Sequence, residues 1–204
     1  MKGLNEDIPN ENNLAWKAWK LFSESFPDLP GVNVSLLKNI PAGAGLGGGS
    51  ADAAFMLLAL NEISDFPFSQ AQLAVMAKKL GSDVPFFIYN RPMLGTGTGT
   101  ELSPLEIDFP YTIKLVLSGI HSSTPEAYKG LELDNLDSNR SLTSILKLPV
   151  SEWQKNLVND LETPVFKKYP VLADIKQTLI DEGAIYAAMS GSGSAVFGLF
   201  KKEC

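Results

Sequence analysis

A two-domain α+β protein is what this sequence predicts, and three observations carry that expectation. The chain has 204 residues, 45% hydrophobic and 20% charged, enough to bury one large core or two small ones. Segments with the apolar spacing of helices are interspersed with short β-branched runs, so neither element type dominates. Around Pro104 and Pro110 the pattern shifts, which places the expected boundary between a first domain, 1–107, and a second, 108–204.

The elements follow in order. Asn12 or Asn13 can cap a helix whose Leu14, Ala18, Leu21 and Phe22 recur on one face, and which ends before Pro27 and Pro30. Val32 to Leu37, after Gly31, reads as a strand that feeds a loop from Asn39 to Gly49. A helix is expected from near Ser50, and its body, Ala53 to Leu60, is apolar on every face, which predicts a position at the centre of its domain. Ser69 and Gln72 form a capping-box pair for the next helix, which stops at Gly81. From Val84 to Thr100, with Pro85, Pro92 and alternating glycines, strands joined by turns are expected. Tyr111 to Leu117 reads as a strand. Thr124-Pro125-Glu126 reads as a helix start with a hydroxyl cap. Helices are expected near Ser141–Lys147, Ser151–Leu157 and Val171–Glu182, then strands at Ala184–Met189 and Ala195–Phe200 around a Gly-Ser loop.

Charge and cysteine usage narrow the function classes. With 17 Lys+Arg against 23 Asp+Glu the net charge is −6, and no basic run is interleaved with aromatics, so nucleic acid is not expected as a partner. An anionic ligand would have to be met by backbone N–H groups or single lysines, because the overall field repels it. Cys204 is the only cysteine, which leaves no disulfide or thiolate cluster to build. Neither a membrane span nor a signal-peptide pattern is present, and the expected location is the cytoplasm.

The strongest local signal is Pro41-Ala42-Gly43-Ala44-Gly45-Leu46-Gly47-Gly48-Gly49-Ser50, five glycines in ten residues that follow a strand and open a helix. Such a loop lets N–H groups converge without Cβ obstruction, and the helix start adds roughly half a unit of positive charge. That is a phosphate cradle; a flexible turn is the alternative. Gly43-x-Gly45-x-x-Gly48 also satisfies the dinucleotide-binding expression, but the acid about 20 residues on would fall in a helix and not at the end of a strand. A Walker A loop is excluded, since no Gly-Lys-Ser/Thr follows.

Pro-x-x-x-Gly-Leu-Gly-Gly-Gly-Ser resembles the second motif of the GHMP kinases. Leu80-Gly81-Ser82-Asp83-Val84-Pro85-Phe86-Phe87 is similar to the segment that carries their catalytic aspartate, and Ala188-Met189-Ser190-Gly191-Ser192-Gly193-Ser194-Ala195 to their third motif. The triple glycine at 47–49, Asn159-Asp160-Leu161-Glu162 and Ser123-Thr124-Pro125-Glu126-Ala127-Tyr128 point within that superfamily to the diphosphocytidyl-methylerythritol kinase family. The resemblance implies a first domain like the second domain of ribosomal protein S5 and a ferredoxin-like second domain. It implies transfer of the γ-phosphoryl of ATP, with Mg²⁺ arriving on the nucleotide, to the tertiary 2-hydroxyl of the family's substrate in non-mevalonate isoprenoid synthesis. A monomer or homodimer is implied, with no nucleic acid or membrane partner.

By resemblance, the loop from Pro41 to Ala51 would bind ATP phosphates, with Gly191, Ser192 and Gly193 nearby, while Asn13, Leu14 and Lys38 would line the nucleotide pocket. Asp83 would orient the acceptor hydroxyl and take its proton; read locally, it could instead cap a helix. Gly97, Gly99, Thr124 and Tyr128 resemble substrate-side positions, although Thr124 could be a cap and Tyr128 a core residue. Ser190 to Ser194 could be a plain hairpin turn. His121, the single histidine, reads as a surface or strand-end residue, and Trp16, Trp19 and Trp153 read as packing. Family members also carry an earlier segment with a catalytic lysine and an aromatic-histidine pair that holds cytidine, for which this sequence has no counterpart, and Ala51 stands where a second serine is frequent. The sequence therefore leaves open a GHMP kinase for another alcohol, such as mevalonate or homoserine, and an inactive nucleotide-binding fragment.

Overall fold

A computed structural model describes residues 2–3, 10–132 and 141–202; Cys204 lies outside them. The chain forms two compact units, each with its own core: residues 1–41 with 47–106, and residues 42–46 with 107–204.

The first unit is mainly helical. Helix α1, Leu14–Ser25, begins where the Asn13 side chain accepts the Ala15 N–H at 2.9 Å, as the sequence predicts. It buries Ala15, Ala18 and Phe22 against α2, Gly48–Ile63, and against α3, Gln70–Lys78. The capping box of α3 is formed: Ser69 accepts from the backbone of Gln72, whose side chain accepts the Ser69 N–H at 2.8 Å. Buried Asn61 fixes the turn between α2 and α3 by bonding both polar groups of the Phe68 backbone, at 2.9 and 3.0 Å. A two-residue strand β1, Lys2–Gly3, pairs in parallel with β2, Leu37–Lys38, and β3, Met93–Thr96, forms an antiparallel hairpin with β4, Glu101–Pro104.

Three expectations for this unit need correction. The run Val32–Leu37 is a strand only at its end, because a strand needs a ladder partner and only Leu37–Lys38 has one among the described residues. Helix α2 starts at Gly48, two residues before Ser50, and it is not enclosed on all sides, since Phe55 and Ile63 are about half exposed. The stretch after Asp83 is not a strand but α4, Val84–Tyr89, with Pro85 in its first turn and Val84, Pro85 and Ile88 buried. Proline is compatible with that position because no intrahelical N–H is needed there.

The second unit is built on an antiparallel sheet in the order β5-β7-β6, comprising Tyr111–Val116, Val196–Lys201 and Tyr186–Met189. One face packs on α9, Val171–Asp181, through Leu172 and Leu179 against Ala187, Met189 and Val196. The other meets Trp153, at the start of α7 (Trp153–Asn156), and Ile145, at the end of α6 (Leu142–Ile145). Trp153 is buried, in keeping with its predicted packing role. Helix α5, Thr124–Lys129, forms as predicted, but Ser123 and not Thr124 occupies the cap position. Tyr128 is 60% exposed and so is not a core residue. Helix α8, Glu162–Lys168, is an element that the sequence reading did not anticipate.

Candidate active site

In the first unit the candidate site grows from the start of α2. Gly47 holds a left-handed φ of 65°, and its carbonyl accepts the Ala51 N–H at 2.8 Å. Close approach forbids larger residues here: a Cβ on Gly47 would stand 2.9 Å from the Phe87 ring, and one on Gly48 2.8 Å from Ile40. Leu14 lies 3.6 Å from the corresponding point on Gly49, so this predicted pocket residue does reach the helix start. The outcome is a helix N-terminus whose first turn, Gly48-Gly49-Ser50-Ala51, is nearly bare of side chains and therefore open to an anion.

Asp83 sits one turn before Phe87, at the N-terminus of the helix that packs on Gly47. Its backbone is in the right-handed helical region, and its carboxylate makes no cap bond to α4; among the described residues its side-chain partner is the Ser82 hydroxyl, at a long 3.5 Å. Asp83 thus holds the cap position of α4 without making a side-chain cap bond, and its carboxylate stays exposed. Lys38 is buried and forms a 2.5 Å ion pair with Asp52, in the second turn of α2, which commits its ammonium to the base of the glycine loop. Asn13 has its capping bond and lies along a groove with Trp16, Trp19, Val32, Val34, Leu36 and Met56. Gly97 and Gly99 occupy the exposed turn of the β3–β4 hairpin with φ of 62° and 83°, where turn geometry alone accounts for glycine.

The middle of the glycine loop, Ala42–Leu46, belongs to the second unit, where it is sewn to two other segments. Ser122 N–H donates to Gly43 O at 3.0 Å, Ala195 N–H to Ala44 O at 2.9 Å, and the Ser190 hydroxyl to Gly45 O at 2.9 Å. At Gly45, with φ of 73°, a Cβ would lie 2.1 Å from Ser190 O. The two glycine loops are thus in backbone contact, which a plain hairpin turn at Ser190–Ser194 does not require. Ser192 accepts at its carbonyl from the Ser122 hydroxyl and shares a 2.7 Å hydroxyl bond with Thr124, which joins a predicted substrate-side residue to a predicted nucleotide-side one. Gly191 and Gly193 take positive φ on either side of Ser192. Exposed His121 lies against Gly43, where a Cβ would meet its ring. Tyr128 points outward from α5, away from the second core.

Sequence reasoning missed Asp52, Ser122 and Ser190 as individual residues. Asp52 carried a signal, as an acid early in a glycine-led helix with a lone lysine before the loop; Ser122 and Ser190 carried none.

Comparison with known families covers both units. Residues 13–91 match the GHMP kinases N terminal domain, and residues 142–203 match the GHMP kinases C terminal region. The chain belongs to the GHMP kinases. It is 47% identical over 201 residues to a protein of Azobacteroides pseudotrichonymphae named 4-diphosphocytidyl-2-C-methyl-D-erythritol kinase, covering 98% of this chain and 74% of that relative. A Parabacteroides distasonis protein of the same name is 46% identical, with 98% and 73% covered. Among solved structures, a 4-(cytidine 5'-diphospho)-2C-methyl-D-erythritol kinase superposes with a TM-score of 0.83 at 33% identity, over 98% of this chain and 74% of that one. A homoserine kinase from Cytophaga hutchinsonii has a TM-score of 0.82 at 19% identity, over 99% and 71%, a likeness of fold alone. This GHMP kinase is accordingly a small-molecule kinase with the two-domain α+β fold of its family, and it spans about three quarters of the length of these relatives.

Proposed function

We propose that the protein transfers the γ-phosphoryl group of ATP to the 2-hydroxyl of 4-diphosphocytidyl-2-C-methyl-D-erythritol. The observation that carries this reading is the 46–47% identity, over 98% of the chain, to relatives bearing that kinase name.

The family resemblance, with the geometry inside each unit, supports a division of labour. The bare first turn of α2 and the Pro41–Ala51 loop hold the nucleotide phosphates through backbone N–H groups. Gly191, Ser192 and Gly193 support that loop, and Leu14, Asn13 and Lys38 shape the pocket around the nucleotide. Asp83, exposed and without a capping duty, orients the acceptor hydroxyl and accepts its proton as the oxygen attacks the γ-phosphorus and ADP departs. Thr124, Tyr128, Gly97 and Gly99 are assigned to the acceptor side. Among the described residues no three His, Cys, Asp or Glu side chains group as a metal cage. Mg²⁺ would arrive on the ATP phosphates, where it would supply charge neutralisation.

The test is turnover with a panel of acceptors. ADP release and a phosphorylated product are expected with the diphosphocytidyl sugar alcohol, and none with mevalonate or homoserine. Preferential turnover of either of those alcohols would overturn the substrate assignment.

A further inference from the structure

Ser190 can meet the first glycine loop because it is held from behind. The side-chain amide of Asn159 donates to two carbonyls at once, Met189 O at 2.9 Å and Gly191 O at 2.8 Å, one on each side of Ser190. The orientation of that amide is set in turn, since its oxygen accepts the Leu161 N–H at 3.0 Å. From the same stretch, Glu162, buried and paired with Lys176 at 2.5 Å, accepts the Met189 N–H at 2.8 Å. Residues 159–162 therefore fix the backbone from Met189 to Gly191 through three hydrogen bonds. From the middle of that stretch, the Ser190 hydroxyl bonds Gly45 O and the Ser190 carbonyl stands where a Gly45 side chain would be. Neither Asn159 nor Glu162 belongs to a glycine motif, yet both determine where one glycine loop presents itself to the other.

We propose that Asn159 is a positioning residue for the nucleotide phosphates, acting through Ser190 on Gly45 and touching no ligand itself. The proposal rests on the reading of Pro41–Ala51 as the phosphate loop. Without the amide, Met189 O and Gly191 O lose their common donor, and the seat of Gly45 rests on the bonds from Ser190 N–H to Ala195 O and from Gly193 N–H to Ser190 O, which hold it less tightly. The effect should fall on phosphate binding and not on binding of the nucleoside, because the displaced atoms belong to the loop that meets phosphate.

Two substitutions isolate the amide. Asn159→Asp keeps the oxygen that accepts from Leu161 and removes the donor, while Asn159→Ser adds no charge and leaves one shorter hydroxyl with a single proton that cannot serve both carbonyls, so the pair separates lost positioning from electrostatic repulsion. Affinities for ATP and for adenosine are measured by calorimetry on the wild type and both variants, with melting temperatures alongside. The expected result is ATP affinity weakened about tenfold in both variants, with adenosine affinity within about twofold of wild type. Unchanged ATP affinity in a folded variant, or equal loss for ATP and adenosine, overturns the positioning role; should the aspartate variant fail to fold, the serine variant alone decides. A wild type that binds ATP no better than adenosine would instead refute the phosphate-loop reading and the proposal with it. A wild type that binds ATP but does not phosphorylate the diphosphocytidyl sugar alcohol would refute only the substrate assignment.

Discussion

At the level of single residues, the glycines and Asp83 separate structural from chemical duty. Asp83→Asn preserves size and removes charge, and since the carboxylate caps no helix the melting temperature should hardly change. Turnover, in contrast, should fall on the order of 10²–10⁴-fold with ATP affinity retained, as expected for a positioned proton acceptor. Steady-state kinetics beside a thermal melt read both quantities, and near-normal kcat would reject the catalytic role. Gly45→Ala asks the opposite question. A methyl group there would stand 2.1 Å from Ser190 O on a backbone with φ of 73°, so the loops must part. A loss of roughly 2 kcal/mol of stability is expected, together with weakened ATP binding, in denaturant titration and calorimetry. Five glycines in the loop were plain from the sequence, but the reason for each was not. Gly47 answers to Phe87 and Gly45 to Ser190, residues 40 and 145 positions away, and no local pattern reports such approaches.

At the level of elements, legibility followed the source of each signal. Helix α1, the α3 capping box, α9 and the β6–β7 pair were readable because their periodicity and caps are local. The run Val32–Leu37 was misread because β-branched composition states a preference while a strand also requires a partner. Helices α4 and α8 escaped because each is short, six and seven residues, and Pro85 in the first reads as a turn signal. One ion pair and one buried phenol make element packing measurable. Lys38 on β2 and Asp52 on α2 pair at 2.5 Å with side chains 7% and 25% exposed, so Asp52→Asn leaves a buried ammonium without its counter-ion and should cost on the order of 2–3 kcal/mol in chemical denaturation. Tyr186 on β6 is held in its neutral form well above the usual tyrosine range, first by burial and then by the charge of Glu162. The folded state therefore keeps a proton that the unfolded chain releases from roughly pH 10 upward. Stability from this group is complete below that pH and declines above it as the pH rises towards the folded-state value. Tyr186→Phe, which also loses the 3.0 Å bond to Leu157 O, should lower stability at neutral pH and flatten the alkaline decline in melts across pH.

For the molecule as a whole, the two-domain α+β organisation was legible from length and alternating patterns, because each core announces itself through its own helices and strands. What the sequence did not convey is that Ala42–Leu46, early in the chain, pack with the second unit. The net charge of −6 suggests that the protein stays dispersed near neutral pH, while exposed Phe55, Ile63, Val34 and Leu37 offer adhesive surface when that charge is titrated away. Solubility should pass through a minimum on acidification towards the isoelectric pH, and Phe55→Gln should make that minimum shallower in a turbidity assay. Equal turbidity for the two proteins would show that this surface plays no part.

The stitching of Ala42–Leu46 to Ser190–Ala195 also sets an order of events during synthesis. The Ser190–Gly45 bond closes a loop of 145 residues, and the neighbouring Ala195–Ala44 bond a similar span, so these contacts carry the chain-closure entropy of most of the polypeptide. A ribosome that has made the helical first unit has made the glycine loop but not its seat. The loop has the Ser122 bond to Gly43 available earlier, but its bonds at Ala44 and Gly45 wait until the strand pair β6–β7 has been synthesised and folded. Nucleotide binding should thus be among the last properties a nascent chain acquires, and chains stalled before residue 190 should keep α1–α3 in protease-resistant form while leaving the glycine loop open to cleavage.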